Sequence, residues 1–415
     1  MSTPLLSADV TTPSTSTAPS NPTGPLAGTR VLDLTSVIMG PLATRTLGDL
    51  GADVIAVEVL RGEPHRTMGP GPHQQLSGIA LNLLRNKRSI ALDLKADEGR
   101  QTFLDLAATA DVMVTNLRPG PVNRLGLDHV SIQAVRPDII YCQAHGYPSD
   151  SDQAEAPAYD DIIQSAGGVG DVFRRAGHEP TLMPTLVADK VAGLTIANAV
   201  LAALVHRATT GEGQHIEVPM IDVMRAFILT EHGAGAISEP PVTGPGYPRI
   251  LTPQRKPQPT VDGWINVLPY DRDHYIALFA EGGRTDIETD RRFRTRAGRF
   301  ENSDSLYRDV AAILATRTTA EWLSFCRNHG IPATAAVTLD EMVAELPLAE
   351  HPTAGAYRVI PPPERFSATP TGVHRPAPMI GEHGRQLLTE IGYDAQRIAD
   401  LEASGILGPG HHGAG

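Results

Sequence analysis

The chain has 415 residues, 41% of them hydrophobic and 20% charged, and carries a formal net charge of −12. That length exceeds what one hydrophobic core ordinarily spans, so two domains are expected. The acidic balance argues against nucleic acid or an anionic membrane as partner, while leaving room for a local basic pocket.

The first 25 residues are rich in Ser, Thr and Pro, with no basic leader or long apolar run, and read as a floppy tail ahead of a soluble cytoplasmic protein. Order is expected from about Leu26. Residues 29–35 read as a strand, "SVIMGPLATRTLGDLGA" as a helix closed by Gly51, and residues 53–59 as a second strand. This β-α-β unit implies a parallel sheet with a right-handed crossover. The alternation continues through "RSIALDL" (strand), "DEGRQTFLDLAATA" (helix), "DVMVTNL" (strand), a short helix near residues 122–125 and "DIIYCQAHG" (strand). Such a pattern means an α/β doubly wound domain, whose ligands sit beyond the carboxyl ends of the strands. A small-residue apolar helix over 188–208 precedes a turn, a strand and a helix in "TTGEGQHIEVPMIDVMRAFI". Its apolar run, 191–205, is short of a bilayer span. Residues 233–260 are a Gly- and Pro-containing excursion. After it come a strand in "GWINVLPY", a helix in "RDHYIALFAEGG" and two amphipathic helices over 302–330, which make a smaller α+β domain. A helical pair closes the chain in "GEHGRQLLTEIGYDAQRIADLEASGIL".

"DLTSVIMGP" is not a Gly-rich dinucleotide loop. Basic residues do recur near strand ends, in Asn86–Ser89, at Lys95, and at Arg118 and Arg124 of "NLRPGPVNRLG". Guanidinium groups there suit the oxyanions of a phosphate or carboxylate, although each is as readily a solvated or ion-paired surface residue. Asp189, heading the apolar helix, has an equally plain use as a cap or first-turn carboxylate, and Tyr159-Asp160-Asp161 as a polar loop and cap. Cys142 and Cys326 stand too far apart to imply a disulfide framework or Cys-based metal site. His145 and Cys142 share a strand without a recognisable third partner for a triad. The His residues show no metal-ligand spacing, and His411-His412 fall in a Gly-rich tail.

Taken in order, "PLAGTRVLDLTSVIMGP", "GADVIAVE", "NKRSIALDLK", "DVMVTNLRPGPVNRLG", "YDDIIQSAGG", "ADKVAG…AVLAALVHRATTGEGQHIEVPM", "HGIPATAAVTLDEM" and "PMIGEHGRQLLTEIG" resemble the family III CoA-transferases, the group of formyl-CoA transferase, carnitine CoA-transferase and the α-methylacyl-CoA racemases. The resemblance implies a large domain built from residues 26–228 and 350–408, a smaller domain over 229–349, tails at 1–25 and 409–415, and two open rings interlocked as a homodimer. It implies acyl-CoA and a carboxylic acid as substrates, with no permanently bound cofactor or metal. It matches the family's nucleophile to Asp189, with Asp160 a second site carboxylate and Tyr159 beside it. Coenzyme A contacts are implied at Ile38, Met39, Leu92, Lys95, Asn116, Leu117, Arg118 and Arg124.

A carboxylate at a helix head is expected to stay ionised and can attack a thioester to form an acyl-aspartyl anhydride. The alternative is a 2-methylacyl-CoA racemase, whose branch carries a His where Tyr159 stands here. A phenol with an ordinary pKa of about 10 is a poor proton shuttle at neutral pH, which favours transfer. A non-catalytic CoA-binding scaffold is the third reading. Val59 follows Glu58 where the family often has a basic residue, leaving Arg61 nearest. Ile38 replaces a polar residue of oxalate-using members, implying a less polar acyl pocket. The Gly-rich loop of formyl-CoA transferase has no counterpart in 233–260.

Overall fold

The computed structural model describes residues 23–284, 286–287, 289–408 and 410, and the chain divides into two compact units. Most of the expected N-terminal tail (1–22), residues 409 and 411–415 of the C-terminal one, and the His411-His412 pair lie outside the described residues. Residues 23–25 belong to a turn region instead, and the Leu26 N–H donates to the Leu50 carbonyl.

Unit one takes in residues up to 163, 185–224 and 346 onward. Its centre is a six-stranded sheet of β1 (Arg30–Leu34), β2 (Asp53–Glu58), β3 (Lys87–Ala91), β4 (Val112–Thr115), β5 (Ile140–His145) and β6 (Gln214–Pro219), every pairing parallel. The order β3-β2-β1-β4-β5-β6 reverses direction between β1 and β4. That reversal is the topological switch point at which open α/β sheets leave a crevice. β1 to β5 are almost wholly buried, as parallel strands covered on both faces must be; hence the mostly apolar runs of β1, β2 and β4 rather than alternation, while β3 opens on polar residues.

The helices of unit one are α1 (Met39–Asp49), α2 (Gly78–Leu83), α3 (Asp97–Ala107), α4 (Pro119–Arg124), α5 (His129–Val135) and α8 (Val187–Thr210), while α7 (Val169–Arg175) belongs to unit two and α6 (Asp160–Ala166) and α9 (Met220–His232) are divided between the units. α15 (Gly384–Glu390) and α16 (Ala395–Ala403) return Leu387, Leu388, Ile398 and Leu401 to the core that holds Leu32, Ile55, Phe103 and Met113. α8 is the one helix among the described residues long and apolar enough to cross a membrane. Within unit one it lies against α1 and buries Ala192, Ile196 and Val200, while Leu194 and Val205 stay exposed. The short helices α2, α5 and α7, and a hairpin of β10 (Leu348–His351) and β11 (Gly355–Arg358), are additions to the sequence reading; at six or seven residues a helix spans too few turns to show a period.

Unit two (164–184 and 225–345) has an antiparallel sheet of β7 (Gln258–Pro259), β8 (Trp264–Val267) and β9 (Ala333–Ala335) with α10 (Arg272–Glu281), α11 (Arg296–Glu301), α12 (Ser303–Leu314), α13 (Thr319–Asn328) and α14 (Leu339–Ala344). Leu278, Phe279, Phe293, Leu306 and Trp322 form its core. The Trp322 indole N–H donates to the Leu314 carbonyl at 2.8 Å, so the largest core side chain is also satisfied.

The basic run Asn86–Ser89 opens β3 instead of ending a strand, and its charges are consumed internally. Lys87 Nζ, fully buried, lies 2.9 Å from Asp33 Oδ2 and 2.8 Å from Thr44 Oγ1. Arg88 pairs with Asp53 and Glu390, and neighbouring Arg85 with Asp49. None is left for a ligand. Because a buried ion pair missing one partner strands the other, Lys87→Ala is expected to cost on the order of 3–5 kcal/mol, measured by urea unfolding; a loss below about 1 kcal/mol, the range of an exposed pair, would refute the pairing.

Candidate active site

The loops that follow β1, β4 and β5, with the residue after β6, converge on one cavity of about 250 Å³, lined by Ser36, Val37, Met39, Asn116–Arg118, His145, Gly146, Tyr159, Asp189 and Met220 among others. All lie in unit one, and the cavity sits at the carboxyl ends of the strands beside the switch point. Two loops are clamped together there. Ser36 N–H donates to Asn116 Oδ1 at 2.9 Å, and Asn116 Nδ2 donates back to the Ser36 carbonyl at 2.8 Å. Val37, next in the chain, has φ +65°. A β-branched residue in the left-handed region is strained, and persists only where its surroundings over-determine it.

Asp189 is the third residue of α8 and is itself only 8% exposed. Its carboxylate is not a cap. The capping position is Leu186, without a side-chain bond, and the carboxylate that accepts the Asp189 N–H is Asp160 Oδ1 at 3.0 Å. One acid therefore satisfies the orphan amide of the helix end, and the other faces the cavity. Burial, and then the negative charge of Asp160, push the Asp189 pKa up to about 7. The helix-head argument favours the anion, but loss of hydration and a like charge outweigh a surface-sized dipole term. An unhydrated carboxylate with this proton affinity is a stronger nucleophile than an exposed one and is half ionised at neutral pH.

Of the residues expected at a binding site, Met39, Asn116, Leu117, Arg118, Tyr159 and Asp189 share this cavity. Lys95 and Arg124 line a second one of about 710 Å³, and Pro121 lines both. Ile38 and Leu92 are buried and line neither. Asp160 lines neither, acting through the Asp189 amide. Arg118 donates to the Glu155 carbonyl, which fixes its guanidinium beside the loop ahead of Tyr159.

One basic residue beside these cavities was not anticipated. Arg100 on α3 joins Lys95 and Arg124 around the larger cavity, and none of the three is ion-paired among the described residues. Its place in the first turns after β3, at the ligand-bearing end of the sheet, was the available signal. His145 ends β5 with its ring buried; burial lowers its pKa, and Nε2 lies 3.2 Å from Glu217 Oε1. Nothing in its sequence neighbourhood separates it from a core histidine.

Gly193 sits one turn beyond Asp189, where a Cβ would meet the Met39 carbonyl oxygen at 2.7 Å. Gly193→Ala must push α8 off α1 and tilt Asp189. The expected loss is about 1–3 kcal/mol, the usual cost of overpacking, together with a lower turnover rate; a variant with unchanged melting and turnover would show that the contact is slack.

The sequence profile described as CoA-transferase family III matches residues 26–384. The chain is 31% identical to succinyl-CoA:glutarate CoA-transferase of Mus musculus, covering 92% of this chain and 90% of that protein. It is 32% identical to acetyl-CoA:oxalate CoA-transferase of Acetobacter aceti, covering 91% and 98%. The crystal structure of Rv3272 from Mycobacterium tuberculosis superposes with a TM-score of 0.76 at 30% identity, covering 89% of this chain and all of that one. With a matching profile across most of its length, this chain belongs to CoA-transferase family III, enzymes that take acyl-CoA as a substrate.

Proposed function

We propose that this protein moves coenzyme A between an acyl-CoA donor and a carboxylic acid by covalent catalysis at Asp189. The observation that carries the reading is the Asp189 carboxylate itself: buried, facing a cavity at the switch point, free of capping duty, and holding a pKa of about 7. Asp189 Oδ attacks the thioester carbonyl, the C–S bond breaks, and CoA leaves as thiolate, giving an acyl-aspartyl anhydride. The thiolate then attacks the aspartyl carbonyl and expels the donor acid, leaving an aspartyl-CoA thioester. The acceptor carboxylate repeats the two steps in reverse, so charge and protons balance without a general acid. Asp160 positions the nucleophile through its amide. Lys95, Arg100 and Arg124 face the larger cavity unpaired, as phosphate binding requires, while Met39 and Leu117 border the acyl end. Asn116, engaged with Ser36, serves as a loop clamp.

The working form is proposed as a cytoplasmic homodimer of interlocked rings, with a large domain of residues 26–228 and 350–408 and a small one of 229–349. The exposed Leu194 and Val205 on α8 are apolar surface that such an assembly would cover. The donor and acceptor acids named for the relatives, succinate, glutarate, oxalate and acetate, are candidates here.

Incubation with acyl-CoA and hydroxylamine should convert Asp189 to its hydroxamate, detectable by peptide mass spectrometry. Absence of that adduct across a panel of succinyl-, acetyl- and branched acyl-CoA would overturn the reading. Deuterium uptake at Cα of a 2-methylacyl-CoA, without CoA exchange, would point to the racemase chemistry instead.

A further inference from the structure

We propose that unit two carries a second carboxylate-binding site, at a cavity of about 180 Å³ whose rim is Arg255 and Lys256. Every residue that lines it belongs to unit two, and none is acidic. The floor is apolar, with Val267 and Val310 almost fully buried, and the walls offer the Asn266 amide and Tyr307, 6% exposed.

The two rim cations are held side by side by a pinned turn. Thr252 Oγ1 donates to Asp304 Oδ1 at 2.8 Å and accepts the Gln254 N–H at 3.2 Å. Gln258, itself buried, donates from Nε2 to the carbonyls of Gln254 (2.7 Å) and Lys256 (3.1 Å). Adjacent like charges repel, yet neither Arg255 nor Lys256 is ion-paired among the described residues. Arg249 and Arg299 stand close enough to act, with Arg255, on Tyr275. In a chain of net charge −12, two unpaired cations thus stand at a preformed hollow, with the Asp304 carboxylate that holds the turn already paired to Arg308, an arrangement that suits an anion.

The hollow holds the volume of about six waters. That admits a short-chain carboxylic acid, with its carboxylate between the guanidinium and the ammonium and its carbon chain over Val267 and Val310. A planar guanidinium matches the carboxylate with two parallel hydrogen bonds. The inference is independent of Asp189.

Titration calorimetry of the full-length protein, without CoA, tests it with succinate and butyrate as probes. Saturable binding is expected that survives Asp189→Asn and weakens about tenfold or more in Arg255→Gln/Lys256→Gln, the loss of one charge-assisted contact or more. The same double variant should still form the Asp189 hydroxamate at the unaltered rate. Because both residues are exposed, the variant should melt as the parent does; as a second measurement on the parent, Overhauser contacts should link the butyrate methyl to Val310. No saturable binding, equal affinity in the double variant, or the absence of the Val310 contacts would overturn the proposal. Tighter binding of inorganic phosphate than of succinate would overturn the carboxylate assignment.

Discussion

Asp189→Asn should lose CoA transfer by about 10³-fold or more, the range in which enzymes lose a covalent nucleophile, while CoA affinity stays within a few-fold. The carboxylate faces the cavity without a hydrogen bond of its own among the described residues, so an amide of equal size disturbs no partner. The same substitution should stabilise the fold at pH 8. In the folded state Asp189 binds its proton up to about pH 7, whereas in the unfolded chain it lets go near pH 4, the ordinary value. Between those values the native state holds the extra proton, so stability contributed by this group falls as pH rises from about 4 through 7. The difference is on the order of 4 kcal/mol at most. The uncharged amide of Asp189→Asn carries no such cost, so the variant's gain in unfolding midpoint over the parent is large at pH 8 and shrinks toward pH 4. A variant that transfers CoA within tenfold of the parent would remove Asp189 from the chemistry; one equally stable at every pH would remove its buried charge.

The second large effect is on the pH dependence of acylation. Attack needs the ionised carboxylate, so the rate of anhydride formation should rise with pH through a midpoint of about 7. Asp160→Asn keeps an oxygen to accept the Asp189 N–H but deletes the neighbouring charge. Burial, the larger cause, remains. The midpoint should therefore move down yet stay above the ordinary carboxylate range, and the rate at pH 6 should rise relative to that at pH 8. Asp160→Ala removes the acceptor as well, and should also loosen the start of α8 by about 1 kcal/mol. Single-turnover rates from pH 5 to 9 with a fixed acyl-CoA give the comparison. An unshifted midpoint in Asp160→Asn would mean that the two carboxylates do not feel each other.

How much of this could be read along the chain follows from the range of each interaction. The runs "RVLDL", "DVIAVE" and "IYCQAH" are apolar because parallel strands are buried on both faces, and local composition carries that message. The small-residue apolar run of α8 is equally local. Lys87 shows the limit. Its neighbours in sequence mark it as a basic residue beside a strand, and only the sheet reveals Asp33, 54 residues away, underneath its ammonium.

The site divides in the same way. Residue identity and order are enough to show the family and the enzyme class and to single out Asp189 as the proposed nucleophile, because an acid ahead of a distinctive helix is a local pattern. What Asp189 is chemically was decided by contacts 29 residues apart, where Asp160 takes over the cap and adds its charge. The gathering of Arg100 with Lys95 and Arg124, the Ser36–Asn116 clamp and the His145–Glu217 pair likewise exist only once the strands are laid side by side. Burial and through-space charge set proton affinities, and neither quantity is a property of a residue's neighbours in sequence.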